Sequence, residues 1–162
     1  MTQLSYINFA EDSKVWIYQC SRMFTEEEAD QLKMEIHEFS KQWVSHNQQL
    51  TAFGMLMHSQ FIVLMVDESK AGASGCSIDK SVHFMKYIEQ KYQVDLFDRM
   101  TFAYFDEGKV KTIKQKEMSE LYQAGRINDQ TMVFNNLVKN RSEFEQGWVV
   151  PLGDSWHKRF IR

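Results

Sequence analysis

Cys76 is the residue whose type and setting most invite chemistry. It sits in Ser74-Gly75-Cys76-Ser77, where a helical apolar spacing begins, so its sulfur should lie beside free backbone amides and the positive end of a helix dipole. Both favour thiolate, the nucleophilic form. A base would have to come from elsewhere in the chain, and His46 and Asp67 are the candidates that the predicted topology brings to the same end of a sheet, together with Asp106. The plainer reading is that a small cysteine fills a packed helix start. Position 82, six residues on, is Val rather than the Arg of a phosphatase loop, and no CxxC is present. The same segment suits an anion, with Gly75 and Ser77 offering backbone amides and Lys80 a positive charge. It is not a Walker A loop: Ser74 to Ser81 reads SGCSIDKS, which keeps Lys80-Ser81 but puts Ser74 and Asp79 where the glycines belong.

Other chemistry finds less support. The five histidines form neither HxH nor HExxH, so no metal site is expected, and no cofactor motif is found. Ten methionines are spread over apolar positions as core filling. Trp148 and Trp156 near the end of the chain are either docking anchors within the fold or a partner-binding surface.

The elements that must position these residues follow from periodicity. Lys14 to Cys20 is β-branched and aromatic and reads as a strand. Thr25-Glu26-Glu27-Glu28 has the capping-box form, and Ala29, Leu32, Ile36, Phe39 and Trp43 continue it as one helical stripe. Leu50 to Met57 and Gln60 to Val66 form a hairpin about His58-Ser59, and Ile78, Val82, Met85, Ile88 and Tyr92 mark a second helix capped by Ser74 or Ser77. Met100 to Phe105 and Lys109 to Ile113 flank a turn at Asp106-Glu107-Gly108. Beyond it lie a short helix, Glu117 to Ala124, stopped by Gly125, and strands at Met132 to Phe134 and Trp148 to Val150.

From residue 14 to 105 the order is strand, helix, strand, strand, helix, strand. That predicts an α+β, ferredoxin-like βαββαβ antiparallel sheet with spatial order 4-1-3-2. Residues 106–162 then form a C-terminal β/α extension of a single domain spanning 1–162. Phe61 to Val66 is apolar at every position, so both faces of its strand need cover. The two helices cover one face, and the extension or a second copy of the chain is expected to cover the other.

With 162 residues, 43% hydrophobic content and a formal charge of −3 distributed over both signs, the chain has material for a core and no concentrated basic surface. Nucleic-acid and membrane partners are not expected. Met1 to Lys14 lacks the basic start and apolar stretch of a signal peptide, and two cysteines suit a reducing compartment, so a cytoplasmic location is expected.

Two resemblances add to this reading. Ser74 to Asp79, the Leu121 to Val138 stretch and the ending Ser155-Trp156-His157 look like a family of short uncharacterised bacterial proteins often labelled as ABC transporter ATPases, over nearly the whole chain. That label implies ATP hydrolysis. Leu121-Tyr122-Gln123-Ala124-Gly125-Arg126-Ile127 followed by Thr131 to Phe134 and Trp148 is similar to bacterial GYF-type modules, which implies recognition of proline-rich peptides. The expected function is a non-enzymatic protein-binding or assembly module whose partner is another protein or its own copy. The alternative is a small cysteine-dependent enzyme or anion-binding protein centred on Cys76.

Overall fold

A computed structural model describes residues 6–161; the Met1 to Ser5 part of the opening segment lies outside the described residues. Among these the fold is mixed α+β, with four α-helices and three antiparallel sheets. The chain divides into two compact units, one formed by Met1–Phe97 with Lys139–Phe144, the other by Asp98–Val138 with Glu145–Arg162.

The first unit holds strand β1 (Lys14–Gln19), helix α1 (Glu26–Gln42), the short pair β2 (Val44–Ser45) and β3 (Gln48–Gln49), then β4 (Thr51–Met57), β5 (Phe61–Asp67) and helix α2 (Gly75–Tyr92). Its main sheet has the order β1-β5-β4, with Trp16 opposite Leu64 and Met55 opposite Val63. Alternation along β5 sends Ile62, Leu64 and Val66 into the helix-side core with Leu32, Ile36, Met85 and Ile88. Phe61, Val63 and Met65 take the other face and are also buried, as an uninterrupted apolar run requires. The Tyr6 ring covers part of this second face, 5.9 Å from Phe53 and 6.5 Å from Phe144.

Helix α1 begins as its sequence dictates. Thr25 Oγ1 accepts from the Glu28 amide at 3.1 Å, and Glu28 Oε1 accepts from the Thr25 amide at 2.9 Å. Arg22 grips the same carboxylate through both terminal nitrogens, at 2.8 and 3.0 Å, and donates to the Tyr92 carbonyl at the end of α2. Glu35 ties the two helices further along, accepting from Tyr87 at 2.8 Å and Lys91 at 3.0 Å.

The second unit holds β6 (Thr101–Asp106), β7 (Lys109–Lys114), α3 (Met118–Gln123), β8 (Met132–Phe134) and β9 (Val149–Pro151), in a sheet of order β7-β6-β8-β9. Helix α4 (Arg141–Gly147) spans the boundary between units. Phe102, Ile113, Met118, Ile127, Val133 and Leu152 form this unit's core.

One expectation needs correction. The predicted fourth ferredoxin-like strand, β6, does not join the first sheet; it pairs with β7 along its length and with β8 through Tyr104 opposite Val133. Both edges of β6 are occupied within its own sheet: Glu107 and Gly108, both at positive φ, make a two-residue turn that hands it β7, and β8 takes the other edge. The start of β1 is met instead by Lys139 and Asn140: the Val15 amide donates to the Lys139 carbonyl at 3.0 Å, and Lys14 bridges Asn140.

Candidate functional site

The start of α2 is tightly organised around Cys76. Ser74 Oγ accepts from the Ser77 amide at 3.3 Å, while Ser77 Oγ accepts from the Ser74 amide at 2.7 Å and donates to the Ser74 carbonyl at 2.8 Å. Ser45 Oγ donates to Ser74 Oγ at 2.8 Å, and the Trp43 indole donates to the Ser77 carbonyl at 2.8 Å. These two bonds bring the segment carrying His46 to the end of the sheet that carries Cys76, as the order of elements predicts. The chemistry does not follow from that proximity. Cys76 is an exposed free thiol, His46 is exposed in the tight turn between β2 and β3 at φ 50°, and among the described residues no base is hydrogen-bonded to the sulfur.

Asp67 is committed elsewhere. Its carboxylate accepts from the Ser69 amide at 3.0 Å and the Ala10 amide at 3.2 Å, and the Ser69 bond leads the causes that hold its pKa below the usual carboxylate value. It fixes the turn after β5. Asp106 belongs to the second unit's sheet, where it pairs with Lys111. Of the anion-binding candidates, Gly75 and Lys80 are exposed and Ser77 is buried with its hydroxyl spent on the cap. Cys20 is fully buried, and burial pushes its thiol pKa up.

The two tryptophans separate into different roles. Trp148 is only 5% exposed; its indole donates to Asn136 Oδ1 at 2.9 Å and its ring meets Phe134 edge-on at 5.0 Å. It anchors the second unit's interior. Trp156 is half-buried, with its indole donating to Asn135 Oδ1 at 2.8 Å and one face stacked on His157 at 3.9 Å. Phe102 lies 5.4 Å away, Phe160 6.0 Å, and the Arg159 guanidinium 5.5 Å from the ring centroid. Tyr104, Leu121 and Tyr122 are half-buried around the same core.

Sequence reasoning missed the pair beneath Trp156. Ser155 Oγ lies 2.6 Å from His157 Nδ1, and both residues are buried. Burial, and then the charge of Arg159, push the His157 pKa down to about 4, so the ring is neutral at ordinary pH. The signal available was Ser155 two residues before His157, the spacing of a serine cap on a short turn.

Among the described residues no three His, Cys, Asp or Glu side chains stand together as a metal site would need. A cavity of about 10 Å³ lies in the second unit's core, lined by Phe102, Tyr104, Ile113, Met118, Ile127 and Val133. It has room for a water at most, against roughly 300 Å³ or more for a small-molecule site. Comparison of the chain with family models, curated proteins and solved structures finds no match.

Proposed function

We propose that the protein is a non-enzymatic protein-binding module whose second unit is GYF-like and recognises extended, proline-rich peptides. The observation that carries this is the group of half-buried aromatics on one core, Tyr104, Tyr122, Trp156 and Phe160, with Arg159 over the rings of Trp156 and Phe160. Aromatic rings held in place by hydrogen bonds of their polar atoms offer rigid apolar faces to a polyproline helix, which carries apolar rings and loses little entropy on binding. Two of those polar atoms are spent within the unit: the Trp156 indole on Asn135 and the Tyr122 hydroxyl on Asp129 at 2.8 Å.

In this reading the first unit is a variant of the ferredoxin-like fold, in which Lys139 and Asn140 stand beside β1 where a fourth strand would lie. The chain is then a member of the short bacterial family it resembles, cytoplasmic, with protein binding rather than ATP hydrolysis as its activity.

The test is titration of the full isotope-labelled chain with a short proline-rich peptide and with its alanine-substituted counterpart. The expected result is amide and indole shifts at Trp156, Phe160 and Tyr104 for the proline-rich peptide alone, lost in a folded Trp156→Ala variant. No shift at roughly millimolar peptide would sink the proposal.

A further inference from the structure

Exposed strand edges invite pairing with other chains, and folded proteins usually blunt them with charge, proline, brevity or cover. Three of the edges in the two main sheets are managed in these ways. At β1 the starting residues are bridged by Lys139 and Asn140. The β7 edge carries Lys109, Lys111 and Lys114. The β9 strand is three residues long and ends in Pro151.

Among the described residues the edge at β4 has none of these protections. It is seven residues long, Thr51-Ala52-Phe53-Gly54-Met55-Leu56-Met57, in unbroken register with β5, and every residue is half-exposed. Antiparallel pairing uses the amides and carbonyls of alternate residues, so the others along β4 point theirs away from β5. Among the described residues no other strand takes them up.

The charge pattern says what occupant fits. From Gln42 to Val66 the sequence contains no Asp, Glu, Lys or Arg, in a chain that is 25% charged overall. A charged peptide would find no complementary group on this edge. In an antiparallel pair of copies, in contrast, a side chain beside the two-fold axis lies diagonally near its own twin, and a charge there would be repelled. The strand is also balanced about its centre. A two-fold axis at Gly54 would set Ala52 opposite Leu56 of the second copy on the helix-facing side, and Phe53 opposite Met55 of the second copy on the other.

We infer that β4 is a homodimerisation edge, at which two copies of the chain pair antiparallel about Gly54 and join their three-stranded sheets into one continuous sheet. The inference stands apart from the peptide-binding proposal, since it uses only the first unit.

Sedimentation equilibrium and light scattering of the full chain test it. The wild type is expected at twice the monomer mass at about 100 µM, with a micromolar dissociation constant. Met55 points away from the helices, and Met55→Lys sets two lysines diagonally across the axis, which should weaken the dimer roughly tenfold or more. Met55→Glu should do the same, and an equimolar mixture of the two variants should recover the dimer. Hydrogen exchange on the wild type provides a reading independent of any variant: β4 amides should exchange more slowly as concentration rises. A wild type that stays monomeric, leaving the edge for a strand of another protein, overturns the inference. So does a dimer indifferent to Met55→Lys, or a mixture of the two folded variants that remains monomeric.

Discussion

Gly54 lies directly under Ile36: a β-carbon built on the glycine would stand 2.5 Å from Ile36 Cγ2 and 3.1 Å from a Leu64 methyl. Helix α1 therefore packs against β4 at a distance that only glycine allows. Gly54→Val should destabilise the protein by roughly 1–3 kcal/mol through overpacking. Combining Gly54→Ala with Ile36→Ala, which removes the Cγ2 that the new β-carbon would meet, should cost less than the sum of the two single changes. Thermal melts of the wild type and these four variants check both statements.

Acid should loosen the second unit through His157. The ring is buried with a pKa of about 4, against 6.5 for an ordinary histidine, so between these values the unfolded chain binds a proton that the folded chain does not. Stability contributed by the neutral ring is complete above about pH 6.5 and is lost as pH falls toward 4, by up to roughly 3 kcal/mol. Denaturant melts across that range should show a steeper pH slope for the wild type than for His157→Gln. Equal slopes would contradict this.

The N-terminus of α1 should be sensitive to acid lower still. Arg22, followed by the Thr25 amide, holds the Glu28 carboxyl down at about 2. Its contribution is present above the ordinary value of 4.5 and fades as pH drops toward 2. Thr25→Ala should cost about 1 kcal/mol at neutral pH by leaving the Glu28 amide without its cap. Denaturant melts at pH 7 and pH 3 measure both effects, with Glu28→Gln expected to reduce the difference between them.

The two cysteines should differ sharply toward an aromatic disulfide reagent. Cys76 is exposed and Cys20 fully buried with its pKa raised, so native protein should release one equivalent of thiol quickly and the second only on unfolding. Prompt reaction of both would mean that the first unit's core opens readily.

Much of the local structure is written in short stretches of sequence. The capping box at Thr25 and Glu28 and the stripe through Leu32 and Ile36 predict α1, and the continuous run from Phe61 to Val66 predicts a strand buried on both faces. The hairpin of β6 with β7 was legible from its turn, but the partner on the other edge of β6 was not, because strand order depends on which partner is reached first. With β7 held on one side by the Glu107-Gly108 turn, the other edge of β6 is taken by β8 and not by the first sheet. The expected polar cluster was legible in part. His46 and Cys76 come to one end through Ser45 and Ser74, but alternation of elements says nothing of hydrogen bonding, and Asp67 turns out to be occupied by backbone amides. The Ser155 and His157 pair escaped notice because a buried histidine leaves no periodic mark.

The return of Lys139–Phe144 to the first unit governs the order in which the protein matures during synthesis. The strand β1 emerges from the ribosome early, yet the residues that bridge its edge are made only after most of the second unit's sheet. Until then the first sheet of a nascent chain is open at both sides, at β1 and at the uncharged β4 edge opposite it. That interval is when the growing polypeptide is most open to mispairing with its neighbours on the same messenger.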